Sequence, residues 1–324
     1  MGLGLEERTV AKELTDEAGH FWGRAFSRNI GLLTTREMGA LRRARVAIAG
    51  LGGMGGCHLL TLARTGVGKF HLAEFDAFEL HNMNRQAGAR VTSLGKKKID
   101  VLIEDVLNVN PFLEIKKFPE GVTDENRDDF LAGVDVVLDA LDAFALDARR
   151  RLFNRAREKG IPVVTAGPLG FGAAVVVFTP EGMGFDQYFD IHDGMSEEEK
   201  LISFFTGLSP KLPHLRYMDR KSVNLLAHRG PSLGLACQLA AGLAAVDAIR
   251  LITGRGKVRA APAYLTVDPY TSLYHRGRLW FGNGSPWRRL YRKAAVWFLK
   301  RGQNANAAEP QESSTQEGER CESL

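Results

Sequence analysis

The chain has 324 residues, of which 44% are apolar and 25% charged, and these proportions indicate a globular protein with a full core and exclude a disordered chain. Its formal net charge of +5 is too small by itself to indicate a nucleic-acid-binding or membrane-binding protein. Its three cysteines include no C-x-x-C pair, which argues against a disulfide framework and a structural zinc site and predicts a protein of the reducing cytoplasm.

Strands and helices are predicted to alternate along the first half of the chain. The apolar run 46–49 precedes the glycine cluster 50–56, an order typical of a strand, a tight turn and a helix. Further strands are predicted at 69–75, 114–118, 134–140 and 162–166, and further helices at 97–109, 124–132 and 145–159. This alternation predicts a parallel sheet covered on both faces. Residues 171–178 follow too closely for a crossover helix, so they are predicted to pair antiparallel.

The alternation breaks over residues 179–229, which are predicted to form a crossover loop near the active site, with one helix at 196–205. A helix at 232–252 follows. It overlaps the longest uncharged run, 230–246, which is too short to span a membrane and is predicted to be buried. A strand at 263–267 completes the predicted sheet.

The end of the chain separates into two segments of opposite charge. Residues 287–301 hold six basic residues and no acidic one, and they are predicted to form a basic, aromatic helix that either caps the domain or contacts a membrane surface or an acidic partner. The polar residues that follow are predicted to be disordered. The predicted organisation is an N-terminal helical arm (1–44), a nucleotide-binding domain (45–278), a basic aromatic helix (279–301) and a disordered tail (302–324).

The glycine turn and the carboxylates after the next strand predict a nucleotide site. The spacing Gly50-x-Gly52-x-x-Gly55 lets the backbone approach a phosphate and directs a helix N-terminus at its charge. Glu74 and Asp76 end the next predicted strand, about two dozen residues after the first glycine, where a nucleotide ribose is usually held. An NAD-binding Rossmann unit and a glycine-rich turn without a ligand fit these features as well.

Two basic residues and a further carboxylate favour ATP chemistry. An enzyme that attacks the α-phosphate of ATP must stabilise charge on phosphorus, and Arg85 and Lys98 supply positive charge that a dinucleotide dehydrogenase does not need. The neighbouring Lys96 and Lys97 are predicted to be solvated instead. Asp142 follows a buried strand at the sheet edge where ligands bind, and it is predicted either to hold Mg²⁺ or to cap the next helix.

Together these motifs resemble the ThiF/MoeB/HesA family, the bacterial relatives of ubiquitin-activating enzymes. The resemblance extends from about residue 24 to residue 268 and rests on Arg28-Asn29, the Gly-x-Gly-Gly-x-Gly turn, Glu74-x-Asp76, Asn82-x-x-Arg85-Gln86, Lys98 and Asp139-x-x-Asp142. It implies a Rossmann-like α/β adenylation domain, with a mostly parallel twisted sheet that ends in antiparallel strands, in a homodimer or pseudo-dimer. It also implies that Mg²⁺ and ATP are used to convert a carboxylate into an acyl-adenylate with release of pyrophosphate.

The resemblance also implies a role for each matching residue. Glu74, in place of the more usual Asp, would hold the ribose, Asp142 would bind the metal, and Arg28 would reach the ATP of the partner subunit. The residues implied to lie around the phosphates are Gly50, Gly52, Gly53, Gly55, Asp76, Asn82, Arg85, Gln86 and Lys98.

Two departures from the family pattern bear on function. Ala143 follows the metal-binding aspartate where the family commonly has Asn, which weakens the local site. Residues 58–236 contain no cysteine, so a thioester step on this chain is not expected. Cys57 and Cys237 are predicted to be core residues, and Cys321 lies in the tail.

The substrate is left open by the sequence. The family's commonest substrate is the C-terminus of a ubiquitin-like sulfur carrier, and an alternative is the tRNA modification of a threonylcarbamoyladenosine-cyclising dehydratase, whose loop resembles residues 62–68 here. The nearly balanced charge of the main domain gives little support to the hypothesis that the substrate is a tRNA. A peptide or natural-product carboxylate, an NAD-dependent oxidoreductase and a non-catalytic nucleotide-binding scaffold are the remaining alternatives.

Overall fold

The computed structural model describes residues 18–219, 223 and 230–294. The first part of the predicted arm, the end of the crossover loop, residues 295–301 of the predicted basic helix, the predicted tail and Cys321 lie outside this range.

Within the described residues, eight strands form one sheet in the order β3-β2-β1-β4-β5-β6-β7-β8. The first five strands of the chain are parallel, while β6, β7 and β8 pair antiparallel in succession, so the predicted fold class is confirmed. The strands are β1 (Arg45–Ala49), β2 (Lys69–Ala73), β3 (Glu114–Phe118), β4 (Val136–Asp139), β5 (Val163–Leu169), β6 (Gly172–Phe178), β7 (Ala263–Asp268) and β8 (Leu273–Arg278).

The helices connect these strands and cover the sheet. Helices α2 and α8 begin at capping boxes, formed by Thr34 with Glu37 and by Ser196 with Glu199. The helices are α1 (Ala18–Ala25), α2 (Thr35–Arg43), α3 (Gly53–Thr65), α4 (Lys98–Leu107), α5 (Arg127–Phe130), α6 (Leu146–Glu158), α7 (Phe185–Phe189), α8 (Glu197–Leu208), α9 (Gly234–Thr253) and α10 (286–294).

The structure differs from the sequence prediction at three elements. The helix predicted at 124–132 is only the single turn α5, and both α7 and β8 were not predicted. Strand β8 escapes prediction because Tyr274, Arg276 and Arg278 point to solvent, and only its pairing with β7 makes it a strand.

Alternate strand residues point to the two covered faces of the sheet. Val46 and Ile48 belong to the core formed with α3, α4 and α9, whereas Ala47 and Ala49 belong to the core formed with α6, α7 and α8. The carboxyl ends of β1, β2 and β4 therefore meet at one uncovered edge, to which the loops described below contribute.

Helix α9 is the one described helix that is long and apolar enough to cross a membrane by length and composition. Its inner face of small residues packs against α3, β5 and β6. Its outer face exposes Leu235 and Val246, so the predicted burial of this helix is confirmed for one face only.

Candidate functional site

The glycine turn lies between β1 and α3 at the carboxyl edge of the sheet. Gly50 has a φ of +89°, and a Cβ there would overlap the carbonyl of Ala140 after β4. A Cβ on Gly55 would overlap the carbonyl of Gly50, so this glycine lets α3 close against the turn. The turn therefore brings the N-terminus of α3 beside the loop that carries Asp142.

Glu74 ties the glycine turn to the end of β2. Its side chain is buried and accepts hydrogen bonds from the backbone N–H of Leu51 (2.8 Å), Phe75 (2.9 Å) and Asp76 (3.0 Å). Each carboxylate oxygen has two lone pairs, so the three bonds leave acceptor capacity for a ribose hydroxyl.

The segment after β2 aims two side chains at the turn. Asn82 is buried, and its Oδ1 accepts a hydrogen bond from the N–H of Glu79 (3.0 Å), which closes a short 3-10 turn. The Asn82 carbonyl then accepts from the N–H groups of Arg85 (3.1 Å) and Gln86 (3.0 Å). Asn82 thus shapes the loop from which the next two residues project.

The aliphatic stem of Arg85 and the amide of Gln86 lie against the glycines, while the Arg85 guanidinium donates hydrogen bonds within its own loop. The Cγ of Arg85 would be 3.5 Å from a Cβ on Gly53, and the Nε2 of Gln86 would be 3.8 Å from a Cβ on Gly52. The Oε1 of Gln86 is buried and has no hydrogen-bond partner in the described part of the chain. This acceptor beside the glycine turn is available to a polar ligand.

Lys98 begins α4 with a nearly buried side chain. Its Nζ lies 3.0 Å from Oδ2 of Asp76, and its backbone N–H donates to the Asp76 carbonyl (3.0 Å). Lys96 is exposed, and the Nζ of Lys97 donates to the Phe75 carbonyl (2.7 Å). Of the three consecutive lysines, Lys98 is the one held within the site.

Asp142 lies in the loop between β4 and α6, which a buried arginine organises. Arg149 donates from Nε to Asp139 (2.8 Å) and from Nη2 to the carbonyls of Leu141 (2.7 Å) and Asp142 (3.1 Å). Asp139 also accepts from Oγ1 of Thr165 (2.6 Å). Arg149 was missed by the sequence analysis, although a buried carboxylate at the end of β4 requires such a partner.

The Asp142 carboxylate itself is exposed at the sheet edge. Its Oδ1 accepts from the N–H of Phe144 (2.9 Å), and the cap residue of α6 is Ala145, so the alternative in which Asp142 caps that helix is wrong. The described residues contain no cluster of three or more His, Cys, Asp or Glu side chains suited to a metal. A single carboxylate fits Mg²⁺ that is held mainly by phosphates and water.

Arg28 lies away from these residues. It is exposed in the 3-10 turn Ser27–Asn29, and Asn29 donates to the carbonyl of Thr65 (3.0 Å) at the C-terminal end of α3. Since α3 has 13 residues and begins at the glycine turn, its two ends are about 20 Å apart. The structure therefore does not bring Arg28 into the site of its own chain.

The two described cysteines are core residues, as predicted. Burial raises the pKa of the Cys57 thiol to about 11 and also raises that of Cys237. The Sγ of Cys237 would be 3.0 Å from a Cβ on Gly53, so this thiol packs behind the glycine turn. Neither environment favours the thiolate that a nucleophile requires.

Comparison with known proteins identifies relatives that match part of the chain. A tRNA threonylcarbamoyladenosine dehydratase of Haemophilus influenzae is 32% identical over 140 residues, which are 43% of this chain and 53% of that protein. The sulfur carrier protein ThiS adenylyltransferase of Escherichia coli is 33% identical over 137 residues, 42% of this chain and 54% of that protein. The chain thus spans about half the length of these relatives.

Among solved structures, the E. coli microcin C7 biosynthetic enzyme MccB in complex with N-formylated MccA shares the fold. Its TM-score is 0.63 at 17% identity, with 88% of this chain and 82% of that chain covered. The model of the ThiF family matches residues 26–281 and so includes the glycine turn, the loop after β2, Lys98 and the Asp142 loop. The chain therefore belongs to the ThiF family.

Proposed function

We propose that this protein uses ATP to adenylate a carboxylate and releases pyrophosphate. The observation that carries the proposal is the convergence at one sheet edge of a glycine cradle, two cationic side chains and an exposed carboxylate: the turn at Gly50, Arg85, Lys98 and Asp142. Membership of the ThiF family supports this chemistry over an NAD-dependent oxidoreductase. We place the enzyme in the cytoplasm, since Cys57 and Cys237 are free thiols.

The site fits a nucleotide triphosphate at the start of α3. Gly52 and Gly53 present backbone without side chains, and the helix N-terminus favours negative charge. The unpartnered Oε1 of Gln86 gains a donor if a ribose hydroxyl lies beside it, or the amide rotates to offer its NH₂ to a phosphate. Glu74 retains lone pairs for the ribose, as its place in the family pattern implies.

The reaction requires charge stabilisation more than proton transfer. A substrate carboxylate is already ionised at neutral pH, so it attacks the α-phosphorus in line without a strong base. Arg85 and Lys98 would stabilise the charge that develops, with Lys98 shared between Asp76 and the phosphates. Mg²⁺ held by Asp142 would neutralise phosphate charge.

The proposal includes a twofold dimer that brings Arg28 to the site. Helices α3 and α9 both start at the site and end near Arg28: a Cβ on Gly234 would be 2.8 Å from the Asn84 carbonyl, while Arg255, after α9, donates to the Leu32 carbonyl (2.6 Å). The outer face of α9 and the adjoining Ile30 and Leu32 are exposed and apolar.

An antiparallel pairing of α9 with the α9 of a second copy would cover this face. In such a twofold interface, the Arg28 end of one subunit lies beside the site end of the other. The arrangement accounts for the position of Arg28, about 20 Å along α3 from the glycine turn of its own chain. Mixing Arg28→Ala and Asp142→Ala chains should restore activity in heterodimers that have one intact site, and no recovery would count against this role.

The proposed carboxylate is the C-terminus of a ubiquitin-like or sulfur-carrier protein. Similarity to an E. coli enzyme named for the sulfur carrier ThiS supports it. Because residues 58–236 contain no cysteine, the acyl-adenylate is the product of this chain and no thioester follows on it.

A second candidate is the dehydration of threonylcarbamoyladenosine in tRNA. It is favoured by the similarity to the Haemophilus influenzae dehydratase. That reaction also activates a carboxylate with ATP, so the same site would serve. The two candidates differ in the substrate that drives exchange of pyrophosphate into ATP.

The test is ATP–pyrophosphate exchange with candidate carriers, peptides and modified tRNA. One substrate class should stimulate exchange, and Lys98→Ala and Asp142→Ala should each reduce it by about 100-fold, as expected for the loss of a charge at the reacting phosphate. Lys96→Ala is the matched control, since that lysine is exposed and adjacent. Equal exchange in all three variants, or calorimetric binding of NAD⁺ without binding of Mg-ATP, would refute the proposal.

A further inference from the structure

Helix α10 exposes an apolar face. Trp287, Leu290 and Tyr291 have exposed fractions of 82%, 60% and 44%, and their spacing of three and four residues places them on one side of the helix. Trp280 and Phe281, which precede the helix, are also exposed. Five large apolar side chains within twelve residues are far more than the scattered single residues of an ordinary surface.

The polar side of α10 faces the protein instead. Arg292 is buried and binds the carboxylate of Asp190 and the hydroxyl of Ser203, and Arg288 donates to the carbonyl of Thr206. These partners belong to α8 and to the residue after α7. The orientation is the reverse of an ordinary surface helix, and turning the rings inward would break these buried polar contacts.

The chain segment that carries this face is basic. Residues 269–308 contain eight basic residues and no acidic one. Lys293 is exposed on α10, and Arg278 is exposed with its guanidinium 4.5 Å from the ring of Trp280. Within the described chain, neither forms an ion pair with a carboxylate.

We propose that the apolar face of α10, with its flanking basic residues, docks on an anionic lipid bilayer. Tryptophan and tyrosine prefer the membrane–water interface, where the ring is buried and the polar edge is hydrated, and lysine and arginine bind anionic headgroups. A second copy of the chain is disfavoured as the occupant, because a self-complementary contact would bring the basic residues of both copies together. The residues that α10 contacts, Asp190, Ser203 and Thr206, are not among those assigned to the adenylation site.

The experiment is sedimentation of the full-length protein with vesicles. The protein should sediment with phosphatidylcholine vesicles that contain phosphatidylglycerol, stay in solution with pure phosphatidylcholine, and be released by salt. Combining Trp287→Ser with Leu290→Ser should reduce binding by about tenfold or more, since both side chains would enter the bilayer. Val91→Ser is the matched control, because Val91 has an exposed fraction of 77% on a different element.

Retention of the thermal midpoint by the double variant would show that the fold is intact, as expected for two exposed side chains. Absence of binding to the anionic vesicles, or binding equal in the double variant and the control, would overturn the proposal. Capture by immobilised polyglutamate without any vesicle binding would overturn it in favour of an acidic protein partner.

Discussion

The Arg149→Met substitution tests how the fold holds Asp142. Arg149 and Asp139 form an ion pair whose side chains have exposed fractions of 3% and 1%. Methionine keeps most of the volume but removes the guanidinium, which leaves Asp139 with Thr165 Oγ1 and the Leu141 N–H as its donors among the described residues. Breaking a buried ion pair costs about 3 to 5 kcal/mol, and the two remaining donors place the expected loss of unfolding free energy at about 3 kcal/mol.

The same substitution should also weaken magnesium-dependent binding of ATP. The guanidinium binds the carbonyls of Leu141 and Asp142 and lies 4.7 Å from the ring centre of Phe204 on α8, so it joins the Asp142 loop to the crossover segment. Without it, the loop loses two backbone anchors, and we expect the stimulation of ATP binding by Mg²⁺ to fall about tenfold while binding without Mg²⁺ changes little.

Urea unfolding and calorimetric titration with ATP, with and without Mg²⁺, measure the two effects. Arg151→Met is the matched control, because Arg151 is on the same helix and forms a solvent-exposed pair with Asp124 at 3.3 Å, worth less than about 1 kcal/mol. If Arg149→Met costs no more stability than Arg151→Met, the buried ion pair does not contribute as reasoned. If stability falls but the magnesium effect is unchanged, Arg149 does not position Asp142.

Three further predictions concern buried groups. Burial lowers the pKa of His58 from about 6.5 to about 4, so between these pH values the unfolded chain binds a proton that the folded chain excludes. The free energy of unfolding, measured with urea at a series of pH values, should therefore fall as the pH is lowered from about 6.5 to about 4. In the His58→Leu variant this fall should be smaller by about 3 kcal/mol, and an equal fall in both proteins would refute the reasoning. Glu74→Gln should lower the free energy of unfolding by about 2 kcal/mol in the same assay, because the amide NH₂ would face one of the three backbone N–H donors. A loss no larger than that of the exposed control Glu120→Gln would refute this. Cys57 should react with iodoacetamide at pH 8 only after unfolding, because its raised pKa and burial suppress the thiolate; rapid reaction in the folded protein would contradict that environment.

Most of the sheet could be predicted from the sequence. The runs that become β1 and β4 are short, mostly apolar or β-branched, and followed or preceded by turn residues, so the pattern along the chain is enough to identify them as strands. By contrast, α7 is a five-residue aromatic segment whose pattern does not distinguish a helix from a strand.

The candidate site likewise has some residues that the sequence predicts and others that it does not. The glycine turn, Arg85 and Lys98 could be proposed because each motif is local and its chemistry follows from residue type and spacing. Arg149 could not, because its importance depends on meeting Asp139, Leu141 and Asp142 across a helix start. The position of Arg28 also required the structure, which separates it from its own glycine turn by the length of α3.

By itself, the sequence determined the alternation of strands and helices, the phosphate-binding turn and the charges that surround it, since these depend on neighbours along the chain. Only the tertiary structure decided which charges are used internally: Lys98 pairs with Asp76, and the arginines of α10 turn inward to Asp190 and Thr206. The physical reason is that burial of a charge depends on partners from distant segments, and these partners determine which side of a helix remains exposed to bind something else.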